Sequence, residues 1–77
     1  MAILITIKYD SPAGLVTQQG IFQTKGKRPE ELAFNWWQEI KRTVFFDRLI
    51  KVELNESENI TETILQMEKA PGAAGLN

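Results

Sequence analysis

The segment Pro29–Thr43 has the sequence PEELAFNWWQEIKRT and is the part of the chain that most decides the fold. Pro29 suits the first position of a helix, and Glu30 and Glu31 lie favourably at the positive end of the helix dipole. At about 100° per residue the apolar side chains share one arc of roughly 140°, which is typical of a helix with one face on a core. The arc contains Leu32, Ala33, Trp36, Trp37, Ile40 and Val44.

The region before this helix predicts two strands joined by a turn. Residues 2–9 alternate with period 2, which predicts a strand with one face in the core. Residues 10–14 (DSPAG) combine turn-forming residue types. The core face of the first strand consists of Ile3, Ile5, Ile7 and Tyr9.

Residues 15–24 predict the returning strand, but both of its faces mix apolar and polar side chains. We expect a bulge at Gly20, because an extra residue there brings Val16 and Ile21 to the same side. The loop that follows, residues 25–28, has the sequence KGKR and is basic.

Beyond the helix, an aromatic connector at residues 45–48 (FFDR) leads to a third strand over residues 50–54. Residues 55–59 (NESEN) predict a polar turn. Residues 60–68 fit two structures. A strand returning in a hairpin is favoured by the short turn. A helix is indicated by Asn59 as its cap and by Ile60, Ile64 and Met67 at i, i+4, i+7. We expect the strand.

The predicted order is therefore β-β-α-β-β, a two-layer α+β domain whose antiparallel sheet has one helix packed on one face. We expect a single domain over residues 1–69. Residues 70–77 (APGAAGLN) contain small residues and helix breakers, so we expect a flexible C-terminal tail.

The composition excludes several chemistries. The chain has 77 residues with no Cys and no His. Disulfides, zinc or iron–sulfur sites built on thiolate or imidazole, and Ser–His–Asp or Cys–His nucleophilic sites are therefore impossible. We expect no enzymatic activity, no cofactor and no metal. A core this small needs further stabilisation, and a partner subunit remains open, so we expect a homodimer.

The charges are balanced overall but not along the chain. The net charge is −1, with +3 in residues 1–51 and −4 in residues 52–77. This lacks the strong basic excess that duplex binding usually shows. No apolar run approaches the roughly 20 residues that span a bilayer, and the N-terminal residues have no basic segment of a signal peptide. We expect a cytoplasmic protein that does not bind membranes.

One side of the helix suggests a contact surface. Phe34 projects outside the core arc, and Phe34, Trp37 and Lys41 follow i, i+3, i+7 spacing, which predicts a ridge of two rings and a cation. Aromatic anchors beside charge are typical of binding hot spots. Phe45 and Phe46 extend this predicted protein-binding surface. In the alternative, Phe34 packs under the connector or the C-terminal segment.

The edges of the sheet are a second candidate surface. Residues 15–24 carry no charge, and an unprotected edge strand invites pairing with another chain. A homodimer could form by edge pairing or by packing of sheet faces.

The sequence thus predicts a small non-enzymatic protein-binding module of the adaptor or inhibitor type, whose size also suits a phage or mobile-element product. The alternative is a weakly specific nucleic-acid-binding protein. A third possibility, an enzyme subunit or small-ligand carrier, has only the interface between sheet and helix in its favour. The nucleic-acid alternative would use Lys25, Lys27, Arg28, Lys41 and Arg42.

Overall fold

In the computed structural model, which describes residues 1–69, an antiparallel sheet of four strands is combined with two helices. The predicted α+β class is confirmed, and the predicted tail at residues 70–77 lies outside the described residues. The prediction of a single helix is wrong. The elements are β1 (Ala2–Ser11), β2 (Gly14–Gln23), α1 (Pro29–Thr43), β3 (Arg48–Leu54), β4 (Glu58–Asn59) and α2 (Thr61–Lys69).

The strands lie in the order β2-β1-β3-β4, and every neighbouring pair is antiparallel. β1 and β2 form a hairpin with Pro12 and Ala13 as its turn, closed by the pair Ser11 and Gly14. The pairing runs without a shift to Ala2 and Gln23. The ladder leaves β2 on one outer edge of the sheet and the short β4 on the other.

The predicted bulge at Gly20 is therefore wrong, and the structure gives a different reason for this glycine. The rings of Phe22 and Trp36 lie 4.9 Å apart, centroid to centroid. A Cβ atom at Gly20 would come within 2.9 Å of the Phe22 ring and 3.3 Å of the Trp36 ring. The missing side chain leaves room for this ring pair. The register shift lies instead in β3, where Ile50 is the extra residue between the pairs that Leu49 and Lys51 form with β1.

A single core lies between one face of the sheet and the two helices. The predicted core face of β1 is confirmed, because all four of its side chains are buried. α1 has the predicted bounds, and its buried side chains are Ala33, Trp37 and Ile40. Trp36, which the helical wheel places deeper than Trp37, is only half-buried. Trp37 is the more deeply buried of the two rings because α2 packs against the flank of α1 that carries it.

The expected strand at residues 60–68 is wrong, and the helical alternative is correct. The Asn59 Oδ1 atom accepts hydrogen bonds from the backbone N–H of Thr61 at 2.9 Å and from its hydroxyl at 2.7 Å. These bonds satisfy donors at the start of α2, as caps of the Asn type do. Ile60 and Ile64 are buried in the core, and Met67 packs against it. The i, i+4, i+7 spacing of these three residues therefore correctly indicated a helix with one face on the core.

Candidate functional site

The predicted aromatic ridge on α1 is covered by other parts of the chain. Trp37 is 1% exposed, and Phe46 packs edge-on against it at 5.2 Å between ring centroids. Phe34 and Phe46 are half-buried against the core. Of the five residues predicted to bind a partner, Phe45 is the one with a freely accessible side chain, at 86% exposure. The structure thus places most of this set in a supporting role within the fold.

Lys41 belongs to a polar cluster that joins the two helices. The Glu68 Oε2 atom accepts hydrogen bonds from Trp37 Nε1 at 3.1 Å and from Gln38 Nε2 at 3.2 Å, and it forms an ion pair with Lys41. The Lys41 Nζ atom also lies 6.0 Å from the centroid of the Trp37 ring, within the range of a cation–π contact. These contacts hold α2 against α1.

The predicted nucleic-acid-binding residues do not form one surface. Lys25, Lys27 and Arg28 are exposed in the loop before α1, whereas Arg42 is exposed near its other end. With a rise of 1.5 Å per residue, Arg28 and Arg42 lie roughly 21 Å apart along the helix axis. Lys41, the fifth member, is half-buried in its ion pair with Glu68. The structure therefore brings no continuous basic patch together from these five side chains.

Among residues 1–69, no strand pairs with the outer edge of β2. In the ladder with β1, the backbone N–H of Thr24 donates to the Met1 carbonyl at 2.9 Å, so even-numbered residues of this segment point their backbone groups toward β1. Neighbouring residues in an antiparallel strand point these groups in opposite directions. The residues whose N–H and C=O groups face the free edge are Leu15, Thr17, Gln19, Ile21 and Gln23.

The two edges of the sheet differ in how they are protected. Natural sheets protect their edges with very short strands, charges, prolines or bulges. β4 is only two residues long. β2 is ten residues long, contains no charge and no proline, and pairs with β1 without a bulge. In the part of the chain that the structure describes, β2 is therefore the edge that can accept another strand.

An apolar groove runs between this edge and α1. It is lined by Phe22 of β2 and by Leu32, Asn35, Trp36 and Glu39 of α1. Its volume is about 160 Å³. The helical wheel assigned Leu32 and Trp36 to the core. They are partly accessible because this flank of α1 lies beside β2, the outermost strand on that side of the sheet.

Within residues 1–69, no helix covers the other face of the sheet. Ile21 is 75% exposed and Leu15 is 62% exposed, but they lie six residues apart along β2. Between them the Gln19 amide donates hydrogen bonds to the Thr6 hydroxyl and the Glu56 carboxylate, both at 3.1 Å. This polar centre separates the apolar side chains, so the free edge is a better candidate surface than the face.

Within residues 1–69, no three acidic side chains are grouped closely enough to hold a metal ion. Neither of the two described helices has the length and apolar character needed to cross a membrane. Comparison of the chain with protein-family models, with curated proteins and with solved structures found no match. The free edge of β2 and its groove are the candidate binding surface of this chain.

Proposed function

We propose that this chain is a small, non-enzymatic protein-binding module that binds its partner by strand addition at the edge of β2. The observation that carries the proposal is an uncharged edge strand of ten residues beside an apolar groove. The proposal includes a cytoplasmic location, which the absence of Cys fits. An adaptor or inhibitor role, in a phage or another mobile element or elsewhere, is compatible with this mode of binding.

Strand addition uses the two features of this surface in different ways. Main-chain hydrogen bonds to the outward-facing residues of β2 supply affinity, while pockets for alternate side chains supply specificity. Side chains of an added strand alternate between the two faces of the sheet. Those on the helix side would lie beside Phe22 and Trp36, so a partner with an apolar side chain at this point of the added strand fits best.

The contact surface in this proposal differs from the one expected from the helix. Trp37 and Lys41 support the fold, and Phe34 and Phe46 pack against the core. Phe45 is included in the proposal as an additional contact because its ring is exposed. The absence of His and Cys supports the non-enzymatic part of the proposal.

The test is whether association with other proteins depends on the β2 edge. Thr17→Pro removes an N–H group that faces the free edge, a position where an edge strand tolerates proline. Wild-type and Thr17→Pro chains are immobilised and exposed to native lysate and to free wild-type chain. Proteins retained by the wild type should be lost by Thr17→Pro.

Two controls make this result specific. Glu58→Lys changes an exposed residue at the opposite edge and should retain the same proteins as the wild type. Gln18→Pro removes an N–H group that faces β1, so it should lower the melting temperature, whereas Thr17→Pro should not. Equal retention by the wild type and Thr17→Pro would contradict the proposal, as would no retention of any protein by the wild type.

A further inference from the structure

Resting on the proposed function, we propose that the partner strand at the β2 edge is β2 of a second copy of this chain. The two strands pair antiparallel about a two-fold axis that passes through Gln19. The result is a dimer with one continuous sheet across both copies.

The backbone directions select this register. The five residues that face the free edge extend from Leu15 to Gln23, with Gln19 at their centre. Centring the axis there places Leu15 opposite Gln23 and Thr17 opposite Ile21 of the second copy, so every outward-facing residue has a partner. Facing pairs of this type exchange two hydrogen bonds each, which gives on the order of ten in total. Any other centre leaves at least one outward-facing residue at the end of β2 without a partner.

The side chains that meet in this register are compatible. On the open face Thr17 meets Ile21, a pair of β-branched residues that suits a strand pair. On the helix face Val16 meets Phe22, and Gln18 meets Gly20, which provides space. No charged side chain faces another, because β2 carries none.

The position of α1 is compatible with this pairing. α1 contacts β1, and its Trp36 ring reaches Phe22 of β2, so the Leu32 and Trp36 flank of the helix is turned toward the free edge. An axis perpendicular to the sheet keeps both helices on the same side. The grooves beside Leu32 and Trp36 would then face each other across the two paired β2 strands.

This arrangement is a closed dimer, which leaves no β2 edge free to bind a third copy. Each copy has one β2 edge, and the two-fold axis uses both edges in the same contact. The opposite edge, β4, has two residues and offers little for further growth. We therefore expect dimers and no larger assemblies.

Sedimentation velocity and light scattering over a range of concentrations test the dimer. The wild type is expected to shift from the mass of one 8.8 kDa chain to twice that mass as its concentration rises. Amide exchange should slow at Thr17, Gln19 and Ile21 over the same range. A monomer at high micromolar concentration would overturn the inference, and so would open-ended filaments.

A matched pair of double variants tests the register. Both variants contain Thr17→Glu, which lies opposite Lys8 within the same hairpin. Adding Ile21→Lys places each Glu beside a Lys of the second copy, so the dimer should persist. Adding Ile21→Glu places two Glu side chains opposite each other at two places in the interface. The dissociation constant of this dimer should be about tenfold higher, or more, than that of the Glu/Lys variant. Circular dichroism and urea denaturation confirm that both variants are folded, and equal dimerisation of the two would overturn the register.

The outcomes separate this inference from the proposed function. A monomeric wild type that still binds another protein, and loses it with Thr17→Pro, contradicts self-pairing and leaves strand addition standing. A dimer that persists unchanged in Thr17→Pro does not use the edge and contradicts self-pairing, while the lysate experiment then decides the proposed function on its own.

Discussion

Replacing Ile64 by alanine is expected to lower the free energy of unfolding by about 3 kcal/mol. Ile64 is fully buried in α2, within the core that all the main elements share. The substitution removes about three buried carbons at roughly 0.8 kcal/mol each, which is about 2.4 kcal/mol of transfer free energy. The cavity that remains adds the rest, because a packed interior relaxes only in part.

The same truncation at Ile21 is the control. Ile21 is 75% exposed on the open face of β2, so the same atoms are removed from a site that is already in water. We expect a loss below about 1 kcal/mol, mainly from the lower strand preference of alanine. Both variants are measured at a concentration at which the chain is monomeric, because Ile21 also lies in the proposed dimer contact.

Urea denaturation followed by tryptophan fluorescence is a suitable assay, because Trp37 is buried in the native state and enters water on unfolding. Calorimetry gives a second measurement. For a chain of this size about 1 kcal/mol corresponds to roughly 4–8 °C, so Ile64→Ala should lower the melting temperature by about 12–24 °C. A loss at Ile64 no larger than that at Ile21 would show that α2 is not docked on the core and would refute this account of the fold.

Three further predictions concern the other residues singled out above. Glu68→Ala should cost about 1–3 kcal/mol of unfolding free energy, because the Trp37 indole N–H loses its acceptor, and Glu68→Gln should cost less; urea denaturation measures both, and equal losses would contradict the role of the shared oxygen. Phe34→Ser should lower the melting temperature, whereas Phe45→Ser should leave it within about 2 °C of the wild type, since only Phe34 packs against the core. Retention on single-stranded DNA should be absent even at about 20 mM salt and unaffected by Lys27→Ala, while retention that falls steeply with added salt would support the nucleic-acid alternative.

Residues 60–68 show how far local patterns predict this fold. Alternation and helical spacing both describe the apolar side chains there, so the local sequence does not choose between strand and helix. The choice is made by partners distant in sequence. As a helix, the segment buries Ile64 and brings Glu68 to the donors on Trp37 and Lys41. None of these contacts is visible from the nine residues alone.

The two tryptophans show a similar limit. The helical wheel correctly places both Trp36 and Trp37 in one apolar arc, but it puts Trp37 at the edge of that arc, whereas the structure buries Trp37 more deeply than Trp36. The relative depth of the two rings is not set by the helix alone. It depends on what covers each flank of α1. α2 and Phe46 cover Trp37, whereas the sheet ends at β2 beneath Trp36. A second helix that was not expected therefore changes which ring is accessible.

One property of the candidate site is predictable from the sequence, and two others are not. The lack of charge in residues 15–24 is evident from the sequence, and it led to the expectation of edge pairing. The sequence does not show that β2 is an edge, because strand order depends on the pairing of β1 with β3. The groove beside Phe22 and Trp36 likewise exists only when α1 lies over the hairpin.

By itself the sequence determined the α+β class, the bounds of α1, the core face of β1 and the exclusion of chemistry that needs His or Cys. These properties follow from residue type and short-range periodicity, which act within one element. Only the tertiary structure decided the helical state of α2, the burial of Trp37 and the open edge of β2. Each of these is set by contacts between elements, where burial of apolar surface and pairing of polar groups outweigh the small differences in local preference.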